Sequence, residues 1–223
     1  MSPLSRLAVT AVALGALLVG ATSALAANAS PAAPADHAHA AARTNRDAFR
    51  ADMRKLWEDH ITWTRLFIVS DVADLPDLQA TTARLLRNQD DIGDAVAKFY
   101  GRAAGDQLSA LLKDHILLAA QLLNAAKAGD NDAVNQASAN WYANADEIGA
   151  FLHDANPKQW SLADMQGMMK MHLDLTLEEA VAHLTGDFAA DVAAYDKVHV
   201  EILQMADMLS HGIIAQFPAA FAS

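Results

Sequence analysis

The sequence predicts an all-α protein, an up-down bundle of three helical hairpins. Three histidines, His60, His115 and His172, recur at nearly equal intervals along the chain, each in the middle of a helical stripe of apolar residues. An aspartate or a glycine interrupts the chain at the same distance beyond each histidine, at Asp74, Gly129 and Gly186. No stretch shows the strict alternation of apolar and polar residues that is typical of a strand.

The three histidines share the same apolar surroundings. Large apolar residues precede each histidine by seven, four and three positions and follow it by three, which is the spacing of one helix face. In chain order these neighbours are Met53, Leu56, Trp57 and Trp63; Leu108, Leu111, Leu112 and Leu118; and Met165, Met168, Met169 and Leu175. We therefore expect each histidine to point into the core.

The chain begins with features of an export signal. Arg6 precedes an almost unbroken apolar run from Leu7 to Leu25, which ends in Ala24-Leu25-Ala26. This pattern predicts a signal peptide over residues 1–26 with cleavage after Ala26, and hence a secreted or cell-surface protein. The alternative is an uncleaved membrane anchor, since the run is long enough to span a bilayer. Residues 27–44, rich in alanine and proline, are expected to form a linker.

The remaining chain is predicted to be one helical domain, residues 45–218, followed by a tail, 219–223. Helix-stop signals such as Leu75-Pro76, Gly129-Asp130 and Asn156-Pro157 separate the apolar periodic segments. They predict six helices, over residues 46–72, 78–99, 104–126, 132–153, 162–184 and 188–216. Because the connections are short, neighbouring helices should be antiparallel. The pattern does not distinguish a closed six-helix bundle from two overlapping four-helix packings.

The return helix of each hairpin also carries polar residues at matching positions. Asn88, Asn144 and Glu201 follow the three histidines at almost the same distance in each hairpin, and Asp91, Glu147 and Gln204 come three positions later. The surrounding helix face is mostly apolar, so these polar groups are expected to be buried. A buried polar group needs a hydrogen-bond partner or a metal ion.

These residues make a metal site the preferred hypothesis. Neutral histidine together with carboxylate suits zinc, iron, manganese or copper, and helical bundles build such sites from inward-facing side chains. The predicted ligands are His60, His115, His172, Asp91, Glu147 and Glu201. Side chains that would orient the ligands are Asn88, Asn144, Thr64 and Thr176.

Two other interpretations remain open. The same groups can satisfy one another as a core hydrogen-bond network, which would make the protein structural or an interaction partner. A metal-bound water in the cluster would instead make it a hydrolase or an oxidase. The Glu-x-x-His pattern of di-iron bundles is missing, and we interpret the protein as a binding protein rather than an enzyme.

The composition narrows the classes of function. The formal net charge is -11, and removing the leader with Arg6 moves it to about -12. Such an acidic chain does not suit nucleic acid as a partner, and cleavage of the leader would leave no stable membrane insertion. The absence of cysteine rules out disulfides and thiolate ligands. No phosphate-binding loop, nucleophile elbow or dinucleotide fingerprint is present.

Three segments resemble a family of small all-helical, often secreted bacterial proteins found in soil actinomycetes and bacilli. They are Trp57-Glu-Asp-His60-Ile-Thr-Trp63-Thr-Arg65, the run from Trp141 to Ile148 (WYANADEI), and the run from Met205 to Ile213. The resemblance covers nearly all of the chain after the linker. Members often carry names such as glycosyltransferase or acetylglutamate kinase. The resemblance implies a small helical fold and the importance of these segments, but it implies no activity.

Overall fold

The structure is a computed structural model that describes residues 34–222, so the predicted leader and the first part of the predicted linker lie outside it. It contains six α-helices, a short 3-10 helix and no strand in that range, which confirms the all-α class. The helices are α1 (Pro34–Val72), α2 (Leu78–Tyr100), α3 (Arg102–Ala128), α4 (Asn131–Ala155), α5 (Leu162–Leu184) and α6 (Phe188–Gln216), and the 3-10 helix is Pro218–Phe221.

The six helices form a closed bundle. Each helix packs against its neighbours in sequence, and α6 returns to pack against α1. Since the connections are short, neighbours are antiparallel, and the histidine-bearing helices α1, α3 and α5 all run in the same direction. The first hairpin is α1–α2, the second α3–α4 and the third α5–α6. The structure thus selects the closed arrangement that the sequence left open.

Local sequence explains where the helices begin. Side-chain oxygens of Asp130, Ser161 and Asp187 accept hydrogen bonds at 3.0–3.1 Å from the backbone N–H groups three residues later, and so cap α4, α5 and α6. Helix α1 already includes residues 34–45, so the described part of the segment expected to be linker is helical. Alanine, abundant there, has the highest helix propensity.

Two glycines allow α2 and α3 to approach closely. A Cβ atom added at Gly105 would lie 2.5 Å from the carbonyl oxygen of Gly93 and 2.6 Å from the Cβ of Ala97. Any side chain at Gly105 would therefore push the two helices apart. The close contact fixes the second histidine helix against the return helix of the first hairpin.

Within residues 34–222, none of the helices combines the length and the apolar composition needed to cross a membrane.

Candidate functional site

The three histidines meet in the interior of the bundle. His60, His115 and His172 are 3%, 3% and 4% exposed. The ring centroid of His172 lies 5.7 Å from that of His60 and 6.4 Å from that of His115. The expectation that each histidine points inward is confirmed, and the three side chains belong to one cluster, which we call the histidine centre.

The Nδ1 atom of each histidine contacts a side chain of the return helix at the same sequence separation, 29 positions further on. His115 Nδ1 lies 2.9 Å from Asn144 Oδ1, and His172 Nδ1 lies 3.0 Å from Glu201 Oε2. In the first hairpin the partner is Gln89, whose Nε2 lies 3.3 Å from His60 Nδ1.

The prediction of Asn88 in that role misplaced the contact by one residue. Asn88 donates a hydrogen bond to the carbonyl oxygen of Leu56 instead, at 3.1 Å. Both Asn88 and Gln89 are completely buried. In the second hairpin Asn144 does both tasks, since its Nδ2 donates to the carbonyl oxygen of Leu111 at 3.1 Å. In the first hairpin two buried amides therefore make the contacts to the histidine and to the backbone carbonyl that a single amide makes in the second.

The amide orientations determine the tautomers of two histidines. Because Asn144 Nδ2 donates to a carbonyl, its Oδ1 faces His115, and the proton of His115 therefore lies on Nδ1. Gln89 Nε2 donates to the carbonyl oxygen of Leu85 at 2.8 Å, so the amide nitrogen also faces His60. His60 Nδ1 accepts that contact, which puts its proton on Nε2. The Glu201 carboxylate, when ionised, accepts from a protonated Nδ1 of His172.

The third hairpin leaves a buried oxygen without a partner. Leu56 and Leu111, four residues before their histidines, both receive an amide donor, and the equivalent carbonyl in the third hairpin belongs to Met168. Glu201 follows its histidine at the same separation as Asn144, but an ionised carboxylate has no proton to donate to such a carbonyl. Glu201 is 5% exposed, and its Oε1 has no hydrogen-bond partner. Such an atom loses its hydration without compensation.

Burial keeps two of the imidazoles neutral. The pKa of His60 lies well below its usual value because of burial and, after that, the charges of His172 and His115. Burial, followed by the charge of His172, lowers the pKa of His115 to about 3. Neutral imidazole is the form that binds metal ions.

Two predicted ligands do not reach the histidine centre. The Asp91 side chain is 43% exposed and lies 3.7 Å from Arg84, while Glu147 is exposed on α4. Three residues turn a helix by about 300°, so a side chain three positions after a buried residue sits about 60° away from it. That rotation carries Asp91 and Glu147 to the rim. No group of three or more His, Asp or Glu side chains within residues 34–222 is arranged to hold a metal ion as it stands.

The two predicted threonines lie one turn beyond their histidines. Thr64 Oγ1 donates to the carbonyl oxygen of His60 at 2.9 Å, so it is bonded within its own helix. Thr176 is 6% exposed and its Oγ1 has no partner. Neither hydroxyl is hydrogen-bonded to an imidazole. Both residues line an apolar cavity that adjoins the histidine centre.

A second buried polar cluster surrounds Arg65, whose acidic partners helical periodicity does not identify. Arg65 Nη1 lies 2.8 Å from Glu179 Oε1 and 2.7 Å from Asp191 Oδ1, and His183 Nδ1 lies 2.9 Å from Asp191 Oδ2. The guanidinium of Arg65 also lies 4.9 Å from the ring centroid of Tyr195. We call Arg65, Glu179, His183 and Asp191 the arginine cluster.

The carboxylates of the arginine cluster have opposite pKa shifts. Burial raises the pKa of Glu179 to about 7, despite the hydrogen bond from Arg65. Burial acts on Asp191 in the same sense, but hydrogen bonds from Arg65 and His183 outweigh it and lower the pKa of Asp191. One sequence signal was available: Glu179 and His183 lie seven and eleven residues after His172, on the same face of α5.

Comparisons with family models, with curated proteins and with solved structures find no match to this chain, so the family resemblance remains an expectation.

Proposed function

We propose that this is an exported metal-binding protein whose histidine centre holds one divalent transition-metal ion through the Nε2 atoms of His60, His115 and His172. The observation that carries the proposal is that three buried imidazoles meet while the Nδ1 of each is engaged by the residue 29 positions later. Metal-binding histidines have this arrangement, in which a neighbouring group holds one ring nitrogen and orients the other.

The ring separations are compatible with one ion. With metal to nitrogen bonds near 2.0–2.1 Å, a ring centroid lies roughly 3.2 Å from the metal, so two bound rings are up to about 6.4 Å apart. A tetrahedral angle between the rings corresponds to about 5.2 Å. The two separations from His172, 5.7 and 6.4 Å, reach up to the limit, so a tetrahedral site requires the rings to move together by about 1 Å. Closing the site requires side-chain rotation, and His60 must move its proton from Nε2 to Nδ1. A half-turn of the Gln89 amide would place its oxygen opposite that proton.

Glu201 supplies the negative charge next to the site. Its Oε2 accepts from His172 Nδ1, which raises the basicity of the ligating nitrogen. A dication at the histidine centre would also stabilise the ionised carboxylate and its unpartnered oxygen. Three imidazoles with one open position suit zinc, with copper and iron as the competitors.

The direct test is a titration with cobalt(II), which reports its coordination by visible absorption. Protein purified without an affinity tag and treated with a chelator should bind one equivalent of cobalt(II), and zinc(II) should displace it. His115→Ala should abolish the absorption band. His211→Ala, which removes an exposed histidine of α6, is the matched control and should keep it. Absence of a stoichiometric band in the wild type would end the proposal.

Glu201→Gln distinguishes a metal site from a self-satisfied network. For a metal site, removing the carboxylate charge should weaken cobalt(II) binding about 10–100-fold. The amide should not weaken the metal-free fold, because its nitrogen can donate to the Met168 carbonyl as Asn144 donates to Leu111. The network interpretation requires instead that His115→Ala lowers the melting temperature equally with metal and with chelator.

The leader supports export, and the mature N-terminus tests it. Full-length protein produced in a bacterium with a secretion system should appear outside the cytoplasm with Ala27 as its first residue. An intact leader on membrane-bound protein would show that the segment is an anchor.

A further inference from the structure

A cavity of about 120 Å³ lies between α1, α3, α4 and α5, next to the histidine centre. Its accessible wall is apolar throughout. Among its lining residues are Phe67, Ala119, Leu123, Trp141, Thr176 and Val181. The ring of Trp141 also lies 5.4 Å from that of His115, so the cavity shares a wall residue with the histidine centre.

Small side chains leave this space open. Ala119 follows His115 by four positions, where the other two histidine helices carry Thr64 and Thr176. Ala180, on the facing helix α5, is a second alanine of the lining. Of the surrounding helices, α3 is held to α4 through the His115–Asn144 contact, and α1 is held to α5 through Arg65 and Glu179. The cavity is partly open to solvent beside the exposed Val181, and its volume is several times what one water molecule needs.

The wall defines the chemistry of a ligand. A charged or strongly polar molecule would lose its hydration against carbon atoms alone, and water would find few partners there. Apolar cavities of about 150 Å³ stay dry and accept benzene or xenon. One polar group is within reach: Thr176 is only 6% exposed, and its hydroxyl lacks a partner and can rotate about χ1.

We propose that this cavity is a binding site for a small uncharged monocyclic aromatic molecule, with the Thr176 hydroxyl as the hydrogen-bond partner of a single polar substituent. The site does not depend on a metal ion at the histidine centre. Phenol should therefore bind more tightly than benzene, and neither requires metal.

The test uses chelator-treated full-length protein with benzene and phenol as probes. Both should raise the melting temperature in a saturable way, because a ligand that binds only the folded state stabilises it. Both should also shift the indole N–H resonance of Trp141, identified by its loss in Trp141→Phe. Absence of a saturable effect from either probe would overturn the proposal, whatever the outcome of the cobalt(II) titration.

Filling variants provide the controls. Ala119→Leu places a larger side chain in the cavity and should abolish the response to both probes, and Ala180→Leu does the same from α5 if Ala119→Leu fails to fold. Ala110→Leu, at an exposed position of α3, is the matched control and should respond like the wild type. Thr176→Val should reduce phenol to the level of benzene. Retained binding in a folded filled variant, or equal loss of both probes in Thr176→Val, would contradict the proposed site.

Discussion

The side chain of Asn144 joins two groups of the neighbouring helix at once: its Oδ1 lies 2.9 Å from Nδ1 of His115 and its Nδ2 lies 3.1 Å from the carbonyl oxygen of Leu111. One amide of α4 thereby satisfies a buried imidazole and a backbone carbonyl of α3. In the third hairpin Glu201 makes the imidazole contact but, when ionised, has no proton for the carbonyl. This difference leaves Glu201 Oε1 buried without a hydrogen-bond partner.

Asn144→Ala should destabilise the fold by about 1–3 kcal/mol, because it leaves the buried His115 Nδ1–H without a partner and removes the second hydrogen bond to the Leu111 carbonyl, which keeps its backbone bond within α3. Urea unfolding monitored by circular dichroism measures the change. Asn140→Ala removes an exposed asparagine of the same helix and should stay within about 0.5 kcal/mol of the wild type. If Asn144→Ala loses no more stability than Asn140→Ala, the buried contact between Asn144 and His115 does not stabilise the fold.

Glu201→Gln should leave the metal-free protein as stable as the wild type or stabilise it by up to about 1 kcal/mol at pH 7. The reason is the donor that the amide offers to the Met168 carbonyl, which the carboxylate lacks. The comparison needs chelator throughout, so that metal affinity does not enter the unfolding curve. A loss of more than about 1 kcal/mol would mean that the carboxylate charge itself stabilises the empty site.

Acid should destabilise the protein through His60 and His115. Both have a pKa in the folded state below the unfolded value of about 6.5, so their contribution is complete above that pH and is lost as the pH falls below it; for His115 the loss continues down to its folded pKa of about 3. At pH 5 the neutral, buried His115 costs about 2 kcal/mol of stability relative to pH 7. His115→Asn should reduce the difference in unfolding free energy between pH 7 and pH 5 by about that amount.

Glu179 changes the stability with pH in the direction opposite to the two histidines. Its folded pKa of about 7 exceeds the unfolded value, so its contribution is complete below the unfolded pKa and is lost as the pH rises through 7. The wild type and His115→Asn both contain Glu179, so its contribution cancels when the pH dependence of their unfolding free energies is compared. An unchanged difference between pH 7 and pH 5 would mean that His115 is protonated in the folded state.

Arg65→Met should cost about 3 kcal/mol, because it removes the cation from two buried carboxylates, Glu179 and Asp191. The side chain of Arg65 is 23% exposed, so the expected loss of stability is at the low end of the range for a buried ion pair. Arg54, on the same helix as Arg65, pairs with Asp207, and these two side chains are 48% and 43% exposed. Arg54→Met is therefore the control, expected to change the stability much less than Arg65→Met. Equal costs for the two variants would contradict the importance of the arginine cluster.

Gly105→Ala should cost about 1–3 kcal/mol, since its Cβ would overlap the Gly93 carbonyl across the α2–α3 contact. Gly167, inside α5, has no atom within 4 Å of an added Cβ. Gly167→Ala should instead stabilise the protein by about 0.5–1 kcal/mol through helix propensity. Thermal unfolding of both variants provides the measurement. Opposite signs are expected, and two changes of the same sign would contradict the close helix contact.

The histidine centre shows which contacts helical periodicity predicts and which it does not. Its three histidines could be placed in the core because each lies within its own apolar stripe, a local property of about two helical turns. Periodicity does not choose between Asn88 and Gln89 as the partner of His60, since the two are adjacent and their directions differ by about 100° around the helix. A smaller rotation of the same kind explains why Asp91 and Glu147, expected beside the histidines, face outward.

The sequence by itself determined the helical class, the positions of the helix breaks and the inward face of each histidine helix. These follow from interactions between residues a few positions apart: helix propensity, capping, and the spacing of apolar side chains. Only the tertiary structure decided that α6 returns to α1 and that Arg65 meets Glu179 and Asp191, 114 and 126 residues away. Such contacts depend on how helix faces pack and rotate against one another, which local periodicity leaves undetermined.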